Sequence, residues 1–469
     1  MLAEHSLPAA PVRVTVPPPS RAALPPGPRR PAFLQSLRYV RRPYEAVEES
    51  GRLFGNCFTA RPLAQPPTVI FADPDAIKDI FMGDPEELRG GEGNAWLLGP
   101  ILGWNSVLVL DGQRHFRERK LMLPPFHGER IHVYGRIIRD ITDRVIDAWP
   151  VGRPFPVHHE MQAITLDVIL RAVFGVDEGP ELVRLRQCLL RVLALANTSA
   201  AAFLFIPLLR IDFGRFSPWG RFLRDRREFA TTLLAQIARR REEGTAGRSD
   251  VLSMLVEARD EHGEPMRDEE LLDEMFTILM AGHETTATSL AWVLHHVLPR
   301  PDVVDRIRAE LRRVVGEGTL EPQHVVQLEY LDAVVKESLR LTPVATNVLR
   351  VLKKPARIGG LDLPAGVGVS AAIYLTHHRP DLWPDPERFA PERFVGARPS
   401  PYAFLPFGGG ERRCLGAAFA MYEMKVVLAE LLARVDLRVA PGYRMRPVLR
   451  TVTVAPSRGM PVVLDARRG

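Results

Sequence analysis

The sequence predicts a mainly α protein, a large helical region with a small β-sheet region, and three observations carry that reading. Apolar residues recur at helical spacing through residues 137–149, 161–174, 182–195, 221–243 and 269–297, each stretch longer than an ordinary strand. Strand-like runs are few: T-V-I-F-A near residue 70 and the alternating V-D-L-R-V to V-V-L-D segment at the end. No repeat or interdomain linker separates them. Residues 24–469 are therefore expected to form one domain, preceded by a flexible Pro-rich tail at 1–23.

With 469 residues the chain is long enough to enclose a cofactor-sized cavity. Its 46% hydrophobic and 25% charged residues are those of a soluble globular protein. Cys57, Cys188 and Cys414 are far apart and odd in number, so neither a disulfide framework nor a paired-cysteine zinc site can be built. A net charge of +6 comes from arginines spread along amphipathic stretches, without a nucleic-acid module, and nucleic-acid binding is not expected. The first 31 residues lack an apolar run of the length that a membrane span or secretory signal needs. A cytoplasmic monomer without a membrane anchor is the expectation.

The elements follow in order. After L-P-P-G-P-R-R-P at 24–31, the run T-V-I-F-A and the helical D-P-D-A-I-K-D-I-F make a small sheet and its first helix. G-G-E-G-N-A-W-L-L-G-P-I-L-G-W-N reads as a Gly-rich loop whose Trp96, Leu97, Leu98, Ile101 and Trp104 belong to core or to a pocket wall. In D-G-Q-R-H-F-R-E-R-K, His115 and Arg119 stand four apart on one helix face. Next, A-A-F-L-F-I-P-L-L, broken by Pro207, is a candidate lid carrying Phe203, Phe205 and Leu208.

The stretch at 269–297 is helical but interrupted by A-G-H-E-T-T, residues 281–286, between nearly continuous apolar flanks. A glutamate and two threonines buried in mid-helix cost stability unless paired. Gly282 weakens the helix there and allows a local bulge. Ala287 stands where H-E-x-x-H needs its second histidine, which excludes that zinc motif. Further on, Glu337 and Arg340 share a helix face, Arg350 opens a strand-like run, and Arg393 follows in P-E-R-F.

The last motif, F-G-G-G-E-R-R-C-L-G at 407–416, precedes A-A-F-A-M-Y-E-M-K-V-V-L, whose apolar spacing is helical. Cys414 thus lies at a helix mouth, where orphan N–H groups and the dipole favour a thiolate. The glycines let a planar ligand approach the backbone. Arg413 occupies the last glycine position of G-x-G-x-x-G, which removes the dinucleotide reading. A haem iron ligated by sulfur uses all of these features, and thiolate ligation favours O–O cleavage over simple carriage of oxygen.

This stretch resembles the haem-binding signature of the cytochrome P-450 superfamily, with Phe407, Gly410, Arg412, Cys414 and Gly416 at the expected spacing. The resemblance extends from residue 24 to the end. It implies the cytochrome P-450 fold around haem b (iron protoporphyrin IX), with Cys414 as fifth ligand. Phe407, Gly408 and Gly416 would line the ligand loop. Arg412, His115, Arg119 and Arg350 would bind the haem propionates. Ala281 and Gly282 would lie over the haem where O2 binds, Glu284 and Thr285 would be the acid-alcohol pair that delivers protons, and Glu337, Arg340 and Arg393 a buried structural triad. Trp96, Leu97, Trp104, Phe203, Phe205, Ala281, Val344 and Ala345 are the candidate substrate-pocket residues.

The implied reaction inserts one atom of O2 into an apolar substrate such as a fatty acid, terpenoid or polyketide-like molecule, by hydroxylation or epoxidation. Electrons would come from an external ferredoxin or flavodoxin with its reductase, docked on Arg117, Lys120, Arg413 and Lys425. A peroxygenase or isomerase of the same fold, and a haem-based gas sensor, are the alternatives.

Overall fold

The computed structural model describes residues 24–468 apart from 127, 129, 176–178, 197–209 and 451. Helices α1 (Ala32–Arg41) and α2 (Pro43–Phe54) lead into β1 (Cys57–Ala60), β2 (Thr68–Phe71), α3 (Pro74–Met82), β3 (Leu88–Arg89), α4 (Gly90–Leu102) and α5 (Gly112–Met122). The helical body follows as α6 (Arg130–Asp147), β4 (Pro154–Pro156), α7 (Val157–Phe174), α8 (Pro180–Ala196), α9 (Pro218–Glu243), α10 (Val251–Glu257), α11 (Asp268–Val297), α12 (Pro301–Val315), α13 (Pro322–Val325) and α14 (Glu329–Leu341). Then come β5 (Val348–Leu352), β6 (Ala356–Ile358), β7 (Leu361–Leu363), β8 (Gly368–Ala371), α15 (Ile373–His377), α16 (Ala417–Arg434), β9 (Val435–Val439), β10 (Pro447–Arg450), β11 (Thr453–Pro456) and β12 (Pro461–Arg467).

The five-stranded sheet has the order β1-β2-β8-β5-β3, with β2 and β8 parallel and the other pairs antiparallel. Helix α3 packs on it because Asp73 caps its start, accepting from Asp75 N–H at 3.0 Å, and Ile77, Ile80 and Phe81 point inward. This sheet encloses a core of its own, built on Phe71, Val369 and Leu405. The larger core lies among α6, α7, α11, α14 and α16.

Helix α11 runs through the middle of the molecule. Three acidic residues occupy its first turn, and the Glu270 carboxylate accepts the Arg267 N–H at 2.9 Å, which satisfies a donor the helix leaves free. The interruption expected at 281–286 does not occur: the helix is continuous from Asp268 to Val297. A Cβ on Gly282 would stand 3.2 Å from Ile169 Cδ1, so the missing side chain serves close approach of α7 and not a bulge.

The expected Gly-rich loop is also corrected, since residues 90–102 form α4. Its free donors are met from outside, by the Asp111 carboxylate, which accepts from Gly91 N–H at 2.8 Å and Glu92 N–H at 2.7 Å. Trp104 folds back on this helix, its ring against Gly99.

Candidate active site

Cys414 stands three residues before α16, in a loop closed by its own N–H, which donates to the Phe407 carbonyl at 2.9 Å. Gly408 and Gly410 take φ of 65° and 66° to make that turn, and Gly416 precedes the first helical residue. The thiol is exposed yet enclosed by protein, so the sulfur faces an interior space. Burial raises its pKa above the ordinary thiol value, outweighing the Gly416 N–H and the nearby Arg119 and Arg413, which act the other way. The helix mouth therefore does not make a thiolate by itself, contrary to the sequence expectation. A coordinating metal would.

Ala281 and Thr285 lie on α11. They are exposed, one turn apart, on a helix whose next turn, from Thr286 to Leu290, is buried. The Thr285 hydroxyl donates to the Ala281 carbonyl at 2.6 Å, which holds the side chain against the helix and leaves its lone pairs free. Helix α11 packs against α16, the helix that follows Cys414.

Four basic side chains meet where α5, β5 and the Cys414 loop converge. His115 is buried, and its pKa is pushed down to about 3 by burial and then by Arg412, Arg119 and Arg350. Arg350 is buried too, and burial with the neighbouring Arg412 lowers it to about 10. Arg412 donates to Asp111 Oδ1 at 2.6 Å and to the Leu110 carbonyl. Burial also lowers Arg119, which is close enough to Cys414 to be felt by it.

Arg350 and Arg412 thus share one enclosed carboxylate, Asp111, and all three guanidiniums feel the exposed Glu411. Crowding like charges in a poorly solvated place is costly without an anion. The residues fit a flat, dianionic group whose centre accepts sulfur. Haem has that form, a flat macrocycle with two carboxylates and an iron that accepts sulfur.

Glu284 is turned the other way, toward α7. Gln162 Nε2 donates to its Oε2 at 2.6 Å, and Oε1 lies 3.8 Å from His158 Nε2 with no hydrogen-bond partner among the described residues. Burial raises its pKa, against opposing effects of Gln162, Arg450 and Thr288. Arg450 donates to His158 Nδ1 at 3.3 Å, which places the proton of the neutral ring on Nε2, 3.2 Å from Thr288 Oγ1. Glu284 and Thr285 are therefore adjacent in the chain without a hydrogen bond to each other. His283 is buried at 3.0 Å from Thr165 Oγ1, and burial lowers its pKa to about 4.

Glu337, Arg340 and Arg393 are brought together. Arg340 Nε and Nη2 donate to the Glu337 carboxylate at 2.7 and 2.9 Å, and Arg393 Nε lies 3.3 Å from Glu337 Oε1. The group continues into the Cys414 loop through His377. Its carbonyl accepts from Arg340 Nη1 at 2.7 Å and its Nε2 accepts the Leu405 N–H at 2.8 Å.

Among the pocket candidates, Trp96, Leu97 and Trp104 are half-buried, and Ala345 is exposed. Val344 packs with Tyr44, Trp292, Tyr374 and Val454. Phe203, Phe205 and Leu208 lie outside the described residues. Two expected docking cations are turned inward instead. Arg117 pairs with Asp260 and Glu118, each at 2.6 Å, and Lys425, 13% exposed, pairs with Asp332 at 3.3 Å. Lys120 and Arg413 are exposed.

The sequence reading missed Asp111, His158, Gln162 and His377. Each acts on a partner at least 19 residues away, so no local spacing announces it.

The cytochrome P-450 family model matches residues 25–462. The Mycobacterium tuberculosis protein named cytochrome P-450 135B1 is 40% identical over 96% of this chain and 93% of its own length. Cytochrome P-450 138 of the same organism is 36% identical over 97% and 99%. Among solved structures, retinoic acid-bound cyanobacterial CYP120A1 superposes with a TM-score of 0.81 at 26% identity, covering 95% of this chain and 99% of that one. The cytochrome P-450DA haem domain shares the fold, with a TM-score of 0.81 at 22% identity over 95% and 98% of the chains. A thiol facing an enclosed space, a cationic cluster beside it and these matches lead to one conclusion: the chain belongs to the cytochrome P-450 family of haem-dependent monooxygenases.

Proposed function

We propose that residues 24–469 form a single haem domain in which Cys414 ligates haem b and one atom of O2 is inserted into a C–H or C=C bond of an apolar substrate. The observation that carries this is Cys414 itself, exposed to an interior space with Arg119 beside it. Bound haem supplies the activation of oxygen. His115, Arg119, Arg350 and Arg412 hold its carboxylates, and Phe407, Gly408 and Gly416 shape the loop on the sulfur side.

Thr285 and Ala281 line the opposite wall. The Thr285 hydroxyl is held by the Ala281 carbonyl, which leaves its oxygen free to accept from a water. Glu284, whose ionisation burial disfavours, would relay protons through water toward Thr285. His158, Gln162 and Arg450 fix the orientation of Glu284.

The retinoic acid in CYP120A1 supports an extended apolar substrate of the terpenoid or fatty acid kind. Electrons come from a small acidic ferredoxin or flavodoxin with its reductase, and Lys120 and Arg413 remain as its docking cations. Charge reversal at both is expected to slow reduction and flatten its salt dependence.

The test is the carbon monoxide difference spectrum of the reduced protein and of Cys414→Ser. A strongly red-shifted Soret band lost in the variant supports thiolate ligation, and a histidine-type band in the wild type refutes it. Oxygen consumption with a substitute ferredoxin system then separates the monooxygenase from a peroxygenase or a gas sensor.

A further inference from the structure

Helix α1 turns its apolar side to water. Phe33, Leu34, Leu37 and Val40 are 56%, 39%, 41% and 45% exposed, and no residue of the helix is buried. At 3.6 residues per turn these four fall within an arc of about 120°. The other side is tied down. The Tyr39 hydroxyl meets Thr346 Oγ1 at 2.6 Å, Gln35 Oε1 accepts the Arg61 N–H at 3.0 Å, and Ser36 Oγ accepts the Leu63 N–H at 2.8 Å. The outward orientation is therefore built by three hydrogen bonds, and Leu63, 47% exposed, lies beside the stripe.

The same face is cationic. Residues 29–61 hold seven arginines against three glutamates, with no lysine or aspartate. Arg38 pairs with Glu49, whereas Arg29, Arg30, Arg41, Arg42 and Arg61 make no ion pair among the described residues. Arg30, Arg38, Arg41 and Arg42, with Leu34 and Leu37, line a groove of about 440 Å³.

We propose that this face docks on an anionic phospholipid bilayer, with lipid phosphates among the guanidiniums and Phe33, Leu34, Leu37 and Val40 at the acyl boundary. Apolar side chains flanked by arginines suit an interfacial helix, in which the long stems reach up to the headgroups. A second copy does not match, because two faces of the same charge repel. The chain's own first 23 residues carry Arg13 and Arg21 against Glu4 and offer no acidic complement. An acidic protein would answer the arginines but leave the apolar stripe in water. Spanning is not involved, since no helix among the described residues is long and apolar enough to cross a membrane. Tyr39 binds Thr346, next to Val344 and Ala345, so docking also brings the candidate pocket to a phase where apolar compounds concentrate. That consequence rests on the proposed function; the docking does not.

The experiment is co-sedimentation of the haem-loaded full chain with vesicles of phosphatidylcholine, with and without phosphatidylglycerol. Binding only to the anionic vesicles, weakened by salt, is expected. Arg30→Gln with Arg41→Gln should lower partitioning on the order of twentyfold, from roughly fivefold per arginine. Leu34→Ser with Leu37→Ser should lower it about tenfold or more. Unchanged visible spectra and melting would show that both double variants remain folded. Serine at Val12, Val14 and Val16 should leave binding intact, and loss there would assign it to the N-terminal segment. No binding to anionic vesicles, equal binding to neutral ones, indifference to both double variants, or a salt-sensitive dimer would each overturn the proposal.

Discussion

Arg340 grips Glu337 through two bonds of 2.7 and 2.9 Å, and both side chains are fully buried. The guanidinium also donates to the carbonyls of His377 and Pro386, while the carboxylate accepts the Ala390 N–H at 2.9 Å. The pair thus joins α14 to the segment leading to Cys414. Glu337→Gln leaves a buried cation without its counter-charge, at a cost of about 3–5 kcal/mol. Urea unfolding of the variant should show that loss together with reduced haem content. A variant as stable as the wild type would mean that the pair is not structural.

Thr285→Ala and Glu284→Gln should separate the two parts of proton delivery. Neither change is expected to alter the fold, because Ala is a better helix former than Thr and Gln retains the bond partner of Gln162. Thr285→Ala should divert consumed oxygen into peroxide, read as less product per O2. Glu284→Gln should lower turnover on the order of a hundredfold, as expected for loss of a general acid, with a larger solvent isotope effect. Equal coupling and equal isotope effects in both variants would remove these residues from the proton path.

Much of the site was legible where chemistry is written into short spacing. Cys414 with its glycines, Glu337 three before Arg340, and His115 four before Arg119 are local patterns, and the structure pairs Glu337 with Arg340 and sets Arg119 near His115. Reading failed where a residue's meaning depends on what packs against it. Gly282 looked like a helix weakness because Ile169 cannot be seen from the sequence. The glycines of α4 looked like a loop because its cap, Asp111, comes from the segment after it. Arg117 looked free because Asp260 is 143 residues away.

His283 makes the acid limit of stability testable. Its folded pKa of about 4 lies below the ordinary 6.5, so between those values the unfolded chain binds the additional proton. Stability therefore rises with pH through this window, and is lost as pH falls through it, by up to about 1.4 kcal/mol per pH unit for one group. His283→Asn keeps a polar group near Thr165 Oγ1, 3.0 Å from Nδ1 in the wild type, and removes the titration. Its urea midpoint should depend less steeply on pH between 4 and 6.5. An unchanged slope would show that His283 is not held neutral.

Gly410 ties the ligand loop to the small sheet region. Its φ is 66°, and a Cβ there would stand 2.2 Å from the Phe81 carbonyl oxygen, a backbone atom at the end of α3 that cannot rotate away. Positive φ alone costs a side chain about 1–2 kcal/mol, and the clash adds displacement of α3 or of the loop. Gly416 has φ of −84°, and a methyl group added there would meet nothing within 4 Å, so the same change carries neither penalty. Gly410→Ala should therefore lose more haem and shift the carbon monoxide band further than Gly416→Ala. Equal behaviour of the two variants would separate the loop's backbone conformation from the placement of Cys414.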